Sequence, residues 1–231
     1  MLGRLPDAQA LADAMTTHGY ARVPALLELE QCRAIRALYD DAGRFRSRIV
    51  MARHGFGRGE YQYFARPLPP LVVTLRERAY ALLVDLANAW QAALGLNTRF
   101  ESAHAAFLKR CHAAGQTRPT PLLLKYGEGD ENRLHQDVYG ELVFPFQIAI
   151  LLSDPHREFD GGEFVLTEQR PRQQSRVIVP PMGQGDAVVF PVRHRPVAGV
   201  RGFYRATVRH GVGEVRRGER YVLGIIFHDA T

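Results

Sequence analysis

The chain has 231 residues, of which 46% are hydrophobic, 23% charged and 10% aromatic, values that exclude a disordered or fibrous protein. No apolar run approaches the roughly 20 residues that a membrane-spanning helix requires, and Cys32 and Cys111 are too few for a disulfide framework. The formal charge is +6, and 28 of the 30 basic residues are arginine, which favours phosphate or carboxylate partners, although a solvated surface explains it equally simply.

The amino-terminal segment does not have the pattern of a secretory signal. Its sequence, MLGRLPDAQALADAM, places acidic residues within the apolar stretch and has no small-residue cleavage site. We therefore expect a soluble cytoplasmic protein.

The first hundred residues are predicted to be mainly helical, because apolar residues recur at three- and four-residue spacing. The predicted helices run from Asp7 to about Thr17, from roughly Glu28 to Ala42, and from about Val72 to Ala93. Gly19 and Gly95 end the first and the last of them. An extended piece at residues 20–24 follows the first helix, and residues 53–64, RHGFGRGEYQYF, are typical of a loop and a strand.

From about residue 119 the pattern changes to short β-type runs separated by Gly, Pro and Asp. Seven strands are predicted, with the sequences PLLLKY, ELVFPFQIAILL, GEFVLTE, SRVIVP, DAVVFPV, FYRATVRH and RYVLGIIF. Gly161 and Gly162 are expected in a hairpin turn, and PVRHRP, around His194, is expected to be an exposed connection. The prediction is an α+β fold in one domain, with helical support over about residues 1–100 and a β core over about 101–231.

Among nine histidines, His135 has the most informative surroundings. Asp137 lies two residues after it, so on an extended strand both side chains point to one face and can reach one ion. This spacing alone also fits a surface strand with a His–Asp hydrogen bond. His104 and His112 have no such partners.

A second signal comes from His210 and Arg220. Arg220 begins an otherwise apolar strand, so its permanent charge requires an anionic partner such as a dicarboxylate. Two histidines and one carboxylate form the facial triad of non-haem Fe(II) oxygenases, which leaves coordination positions open.

These motifs occur in an order that resembles a known superfamily. The order is Tyr126 with Gly129 and Asp130, then His135 and Asp137, Asp160-Gly161-Gly162-Glu163-Phe164, Gly185-Asp186-Ala187-Val188-Val189-Phe190, His210 and Arg220. Over about residues 120–229 the chain resembles the Fe(II)/2-oxoglutarate-dependent dioxygenases, in particular their prolyl-hydroxylase-like branch. HQDVYGELVFPFQIAILL, GGEFVLTEQRPR and GIIFHDA are most similar to a bacterial family of nucleic-acid oxygenases.

The resemblance implies a double-stranded β-helix core, of the jelly-roll or cupin type, covered by amino-terminal helices. It implies that His135, Asp137 and His210 are the catalytic Fe(II) ligands and that Arg220 binds the far carboxylate of 2-oxoglutarate. The implied cosubstrates are 2-oxoglutarate and O₂, with decarboxylation to succinate coupled to C–H hydroxylation.

Two further residues have alternative interpretations. Tyr126 either contacts the cosubstrate, as a tyrosine does in related enzymes, or is a core residue with a satisfied hydroxyl. Gln147 lies within an apolar run and needs a buried hydrogen-bond partner, so it is either a structural amide or part of the cosubstrate pocket.

The sequence indicates the substrate less directly than it indicates the fold and the metal ligands. Residues 170–220 contain eleven arginines and three acidic residues, a local charge of +8, whereas the rest of the chain carries −2. This segment is expected to form a basic rim around the iron site that attracts DNA or RNA. Four aromatic residues of the earlier segment 53–64 would either stack on bases or pack in the core: Phe56, Tyr61, Tyr63 and Phe64. Demethylation of alkylated nucleic acid is the first hypothesis.

Two alternatives remain. AlkB-type demethylases carry a second arginine shortly after the one that binds 2-oxoglutarate, and none follows Arg220 in its strand, which favours hydroxylation of a protein or amino-acid side chain such as proline. A non-catalytic β-helix binding module is the third hypothesis, and the retained ligand set argues against it.

Overall fold

The structure is a computed structural model that describes residue 3, residues 6–200 and residues 202–231. Within these residues the helices are α1 (Ala8–His18), α2 (Leu29–Ala37), α3 (Pro70–Ala93) and α4 (His104–Ala113). Short 3₁₀ turns occupy Leu38–Asp40, Ala42–Arg44 and Met51–His54. None of these helices combines the length and the hydropathy that crossing a bilayer requires.

The strands of the described residues are short and mostly confined to the second half of the chain. They are β1 (Ala21–Val23), β2 (Phe45–Val50), β3 (Glu60–Phe64), β4 (Leu122–Tyr126), β5 (Asn132–His135), β6 (Phe146–Leu151), β7 (Phe159–Gly161), β8 (Phe164–Gln169), β9 (Arg176–Ile178), β10 (Ala187–Pro191), β11 (His194–Gly199), β12 (Gly202–Val212), β13 (Val215–Gly218) and β14 (Arg220–Ile226).

Two antiparallel sheets organise these strands. The first has seven strands in the order β1-β10-β6-β14-β4-β3-β2. The second has the order β11-β12-β8-β9, with β5 also paired to β12, and β7 pairs with β13 separately. Buried side chains from both sheets, among them Val222 of the first and Leu166 and Val208 of the second, form one cluster between them. The α+β prediction is confirmed.

The helices cover the other face of the seven-stranded sheet. Along β14, Leu223 and Ile225 belong to the core beneath the helices, whereas Val222 belongs to the core between the sheets. A strand buried on both faces is apolar without alternation. This explains why RYVLGIIF was recognisable as a strand even though it has no polar face.

Arg76, in the middle of α3, joins the helical layer to the end of the chain. It is fully buried and donates hydrogen bonds to the carbonyls of Ile226 and His228 and, at 2.8 Å, to Oδ1 of Asp229. Burial lowers the pKa of Arg76, and the Asp229 carboxylate opposes this effect. Because each partner compensates the other's buried charge, the pair is a structural anchor.

The carboxyl-terminal segment also accounts for two of the remaining histidines. His112 lies 2.8 Å from its Oδ2, and His104 bonds the Phe227 carbonyl. Both are structural partners of the carboxyl-terminal segment, although the sequence showed no partner pattern for either.

The first helix is confirmed, because the Asp7 side chain accepts a hydrogen bond from the Ala10 amide and Gly19 ends the helix in the left-handed conformation. The second helix was predicted too long, since it ends at Ala37. Beyond it, the Asp41 carboxylate accepts a hydrogen bond from the Gly43 amide, and such local bonds compete with helix continuation.

All seven predicted strands are present, but other strands were missed. The segment PVRHRP (191–196) is not an exposed connection, because it runs from the last residue of β10 through two linking residues into β11, and four of its six residues are buried. A proline within a strand is tolerated at the edge of a sheet, and β11 is the edge of the second sheet. The mainly helical interpretation of the first hundred residues was also incomplete, because β1, β2 and β3 join the seven-stranded sheet.

Gly161 and Gly162 do not form a hairpin turn. Both have positive φ, 76° and 60°, as expected for glycine. However, β7 pairs with β13, and β8 pairs with β12 and β9, so the two glycines carry the chain from one strand pair to another sheet.

Candidate active site

Three potential metal-binding side chains meet in the space between the sheets. His135 ends β5, Asp137 follows it in a short extended segment, and His210 is directly opposite His135 in the β5–β12 pairing. The cross-strand pairing therefore brings together residues that are 75 positions apart in the sequence. One ligand atom from each residue lies within 4.8 Å of the others, so the cluster could hold a metal ion.

The imidazoles and the carboxylate are close enough to share one ion. Nε2 of His210 lies 3.3 Å from Oδ2 of Asp137, and Nε2 of His135 lies 3.5 Å from Oδ1. Nδ1 of His135 donates to the Arg133 carbonyl at 2.6 Å. A carbonyl can only accept, so this bond places the proton on Nδ1 and leaves the Nε2 lone pair free for a metal.

The protonation states of two of the three groups also suit a metal. Burial raises the pKa of Asp137, but hydrogen bonds with His210 and Tyr139, together with the positive charge that the two imidazoles carry at acidic pH, outweigh it and hold the pKa below its usual range. Burial lowers the pKa of His210, and His135 adds to this effect. Asp137 is therefore ionised and His210 neutral near pH 7, as coordination requires.

Tyr139 forms a hydrogen bond with Asp137. Its hydroxyl donates to Oδ1 of Asp137 at 2.7 Å and lies 3.0 Å from the Tyr63 hydroxyl, which donates to it. Burial raises the pKa of Tyr139, and the Asp137 charge raises it further, so the phenol keeps its proton. Tyr139 is not among the residues predicted from the sequence, although its position two residues after Asp137 was a usable signal.

Arg220 is a buried cation that makes no ion pair with any described residue, although its guanidinium lies over the rings of Tyr126 and Phe159. Its side chain is 2% exposed, and neither Nε nor Nη1 has a hydrogen-bond partner. Burial lowers the pKa of Arg220 to about 10, so the group remains charged at neutral pH. An unpaired buried guanidinium is costly, and an anion bound beside it would remove that cost.

Two neighbours shape the surroundings of Arg220. Tyr126 is its cross-strand partner on β4, is fully buried, and accepts a hydrogen bond from Asn132 at 3.2 Å. Burial raises the pKa of Tyr126 to about 12, so it is a neutral phenol. A Cβ atom at Gly162 would lie 2.9 Å from Cδ of Arg220, and the glycine therefore leaves room for the arginine side chain.

One cavity of about 220 Å³ connects the metal cluster with this arginine. His135, Asp137 and His210 line it together with Arg220, Tyr126 and Gln147. The Gln147 amide nitrogen lies 3.2 Å from Nε2 of His210. Of the two interpretations of Gln147, the structure places its side chain at the cavity, beside the metal cluster.

The four aromatic residues of residues 53–64 have different environments. Phe56 is 48% exposed, stacks on His54 and lines the cavity, and Tyr61 lines the cavity as well. Tyr63 is buried against Tyr139, and Phe64 is a core residue. Phe56 is therefore the most exposed of the four rings, Tyr61 is half-buried at the cavity, and the other two are buried.

The arginines of residues 170–220 do not form a single basic rim. Arg195 is buried and bonds Glu168, which Arg170 and Arg176 also approach. Arg216 and Arg217 approach Glu163 and Asp160. Arg201 lies outside the described residues. The expected rim is therefore incomplete, because five of its ten described arginines pair with the carboxylates of Asp160, Glu163 and Glu168.

Comparison with known proteins adds independent information. The family Oxygenase-NA, described as an oxygenase catalysing oxidative methylation of damaged DNA, matches residues 59–230. The uncharacterized proteins MT2286 and Rv2227 of two Mycobacterium tuberculosis strains are each 50% identical over 168 residues, which span 73% of this chain and 72% of theirs.

Solved structures show the same fold at low sequence identity. A Pseudomonas putida prolyl-4-hydroxylase is 18% identical with a TM-score of 0.54, covering 97% of this chain and 99% of its own. A Burkholderia pseudomallei oxidoreductase of the 2OG-Fe(II) oxygenase family is 16% identical with a TM-score of 0.57, covering 100% of this chain and 95% of its own. The double-stranded β-helix prediction is thereby confirmed.

Proposed function

The chain belongs to the Oxygenase-NA family and is a 2-oxoglutarate- and Fe(II)-dependent oxygenase, and we propose that it removes methyl groups from alkylated nucleic acid. The observation that carries the proposal is one cavity lined by the His135-Asp137-His210 cluster and by an unpaired buried arginine. We also propose that the chain acts as a single catalytic domain, since β1–β3 pair in the same sheet as the later strands.

We propose that His135, Asp137 and His210 hold the iron. The fit rests on the three donor atoms within 4.8 Å, the ionised carboxylate, the neutral buried imidazole and the free Nε2 of His135. Two imidazoles and one carboxylate are the donor set of non-haem Fe(II) oxygenases, and they leave positions open for cosubstrates.

Arg220 supplies the anchor for 2-oxoglutarate in this proposal. The far carboxylate accepts hydrogen bonds from Nε and Nη1, which have no partner otherwise. Tyr126, beside Arg220 in the neighbouring strand, borders the same end of the pocket and is a second contact for the cosubstrate.

When bound, Fe(II) and 2-oxoglutarate supply the oxidation: O₂ places one atom in succinate and one in a substrate C–H bond, with loss of CO₂. A hydroxylated N-methyl group then leaves as formaldehyde, which restores the N–H bond. The residues of the chain orient the reactants and exclude water. Phe164, Phe190 and Val222 provide apolar walls around the cavity for this purpose.

The nucleic-acid substrate is supported by the family description and by the exposed Phe56 ring at the cavity. A ring of this kind can stack on an unpaired base. Hydroxylation of a protein or amino-acid side chain remains the second candidate function, because β14 carries no second arginine after Arg220.

The proposal is tested by measuring succinate and formaldehyde release with three substrate sets: methylated oligonucleotides, proline-containing peptides and free amino acids. We expect both products in equal amounts with a methylated oligonucleotide, and neither above background with its unmethylated counterpart. Succinate release that responds only to peptides or amino acids would replace nucleic-acid demethylation with side-chain hydroxylation.

Replacing Tyr139 with phenylalanine should weaken metal binding without abolishing it. The substitution removes the 2.7 Å hydrogen bond to Asp137, and losing such a bond to a metal ligand typically costs about 10–100-fold in affinity. Mn(II) binding in the presence of 2-oxoglutarate measures the effect. Tyr63→Phe is the matched control, since it removes a hydroxyl from the same cluster but leaves the Asp137 bond intact; equal losses in both variants would exclude a specific role for Tyr139.

A further inference from the structure

The two faces of strand β12 differ in burial. Ala206, Val208 and His210 are buried, whereas Arg205 and Arg209 are exposed and Phe203 is 57% exposed. Successive side chains of a strand point to opposite faces. Arg205, Arg209 and Phe203 therefore lie on the outer face of the second sheet, on the side opposite the metal cluster.

Arg193 extends this exposed set across the neighbouring strand. It immediately precedes β11, and its carbonyl accepts a 2.7 Å hydrogen bond from the Val208 amide. Burial lowers the pKa of His194 to about 4, and the charges of Arg193 and Arg205 contribute to the shift. Both guanidinium groups therefore lie near the same ring, which stays neutral.

These three arginines differ from most of the others in the basic segment. Within the described residues, Arg193, Arg205 and Arg209 make no ion pair, whereas Arg195 is held by Glu168. Glu168 is buried on the inner face of β8, and the alternate positions Val165, Thr167 and Gln169 carry no charge. The outer face therefore has an uncompensated positive charge.

Hydrogen bonds connect the backbone beneath this face to the rim of the cavity. Gln136, between two of the proposed metal ligands, lines the cavity. Its amide nitrogen donates to the carbonyl of Val208 at 2.7 Å and to that of Arg193 at 3.3 Å. One side chain thus joins the active site to the backbone that carries Arg193 and Arg209.

We propose that this surface, called here the basic strand face and consisting of Arg193, Phe203, Arg205 and Arg209, binds the sugar–phosphate backbone of the nucleic-acid strand whose modified nucleotide enters the cavity. The inference rests on the proposed nucleic-acid substrate. Guanidinium groups bind phosphates through paired hydrogen bonds. Phe203 offers an exposed ring for base stacking.

The spacing of the arginines suits an extended backbone. Arg205 and Arg209 are four residues apart, or about 13 Å at the usual rise of a strand. Successive phosphates of one strand are closer together than this, so the two guanidinium groups can contact different phosphates of the same strand. The carbonyl of Arg193 accepts a hydrogen bond from Gln136, which lines the cavity. Arg193 would therefore contact the part of the nucleic-acid backbone nearest to the cavity.

The test is the salt dependence of binding for a fluorescein-labelled single-stranded oligodeoxynucleotide of about 20 nucleotides, followed by fluorescence anisotropy. The variant Arg193→Ala/Arg205→Ala/Arg209→Ala should bind at least about tenfold more weakly near 0.1 M salt. Its log–log salt slope should fall by about 2, since each single-strand phosphate contact contributes about 0.7.

Two variants serve as controls. Arg33→Ala/Arg78→Ala/Arg99→Ala removes the same net charge from exposed positions in the helical part of the chain, and it should keep the affinity and slope of the parent. Arg193→Lys/Arg205→Lys/Arg209→Lys keeps the charge and should retain the slope. Mn(II) and 2-oxoglutarate binding, measured separately, should be unchanged in all three variants.

The outcomes separate this inference from the proposed function. If the parent releases formaldehyde from methylated oligonucleotides but the two alanine triples bind equally, the basic strand face is wrong and the proposed function stands. If the parent neither binds nor oxidises any nucleic acid at low salt, both fail. A selective loss in the first triple supports the basic strand face.

Discussion

The variant Asp137→Ala is expected to bind no Fe(II) or Mn(II) and to release no succinate above background. Asp137 is the anionic member of the proposed ligand set and faces both imidazoles, at 3.3 and 3.5 Å. Two neutral imidazoles alone neither balance the ion's charge nor complete the facial triad. The loss of activity should be at least about 10³-fold, which exceeds the 10–100-fold cost of removing an outer-sphere partner.

Calorimetric titration with Mn(II) in the presence of 2-oxoglutarate measures this prediction directly. The metal should raise the Tm of the parent, since a ligand that binds only the folded state stabilises it, and it should not change the Tm of the variant. His135→Ala should behave in the same way. Asp160→Ala is the matched control, because it removes a carboxylate that pairs with Arg217 outside the cluster. Metal affinity retained in Asp137→Ala would refute the proposed ligand set.

The variant Arg220→Leu should keep its metal and lose most of its affinity for 2-oxoglutarate. Removing one partner of a buried, hydrogen-bonded charge pair costs about 2–5 kcal/mol, so the KM for 2-oxoglutarate should rise at least about 30-fold. Binding of Mn(II) in the absence of the cosubstrate should match that of the parent, because Arg220 contacts none of the three proposed ligands.

The Tm of Arg220→Leu in the absence of 2-oxoglutarate is a second measurement. Unlike the affinity for 2-oxoglutarate, it should not fall. The buried guanidinium has no partner for Nε and Nη1, and leucine avoids the cost of burying that charge. We expect the variant without cosubstrate to have a Tm at least equal to that of the parent, and 2-oxoglutarate with Mn(II) to raise it less. Arg217→Leu, at an exposed position of β13, is the control. Normal 2-oxoglutarate affinity in Arg220→Leu would remove Arg220 from the proposed role.

Some of the candidate site could be predicted from sequence because its signals are local. His135 and Asp137 are two residues apart, and β structure places such residues on one face. Arg220 was recognisable because a charged residue at the start of an apolar strand requires an anion. Tyr139 was missed because its function depends on the direction of its hydroxyl, which the residue type alone does not specify.

The same distinction explains the errors in the fold. The strand β11 contains an arginine and a proline and follows Arg193 directly, so the local composition indicated a connection, and its pairing with β12 was not readable from local pattern. The second helix was overextended because its apolar stripe continues past the point where Asp41 bonds the backbone at Gly43.

The class of the fold, the positions of seven strands and the spacing of the candidate metal ligands could be predicted from the sequence, because periodicity, turn residues and short-range spacing are properties of neighbouring residues. Which arginines are free to bind an anion depends instead on tertiary contacts. Arg195 and Arg209 belong to the same basic segment, but Arg195 is buried against Glu168 and the end of α1, whereas Arg209 points outward. The pairing of a charge depends on residues brought together across strands, and composition does not contain that information.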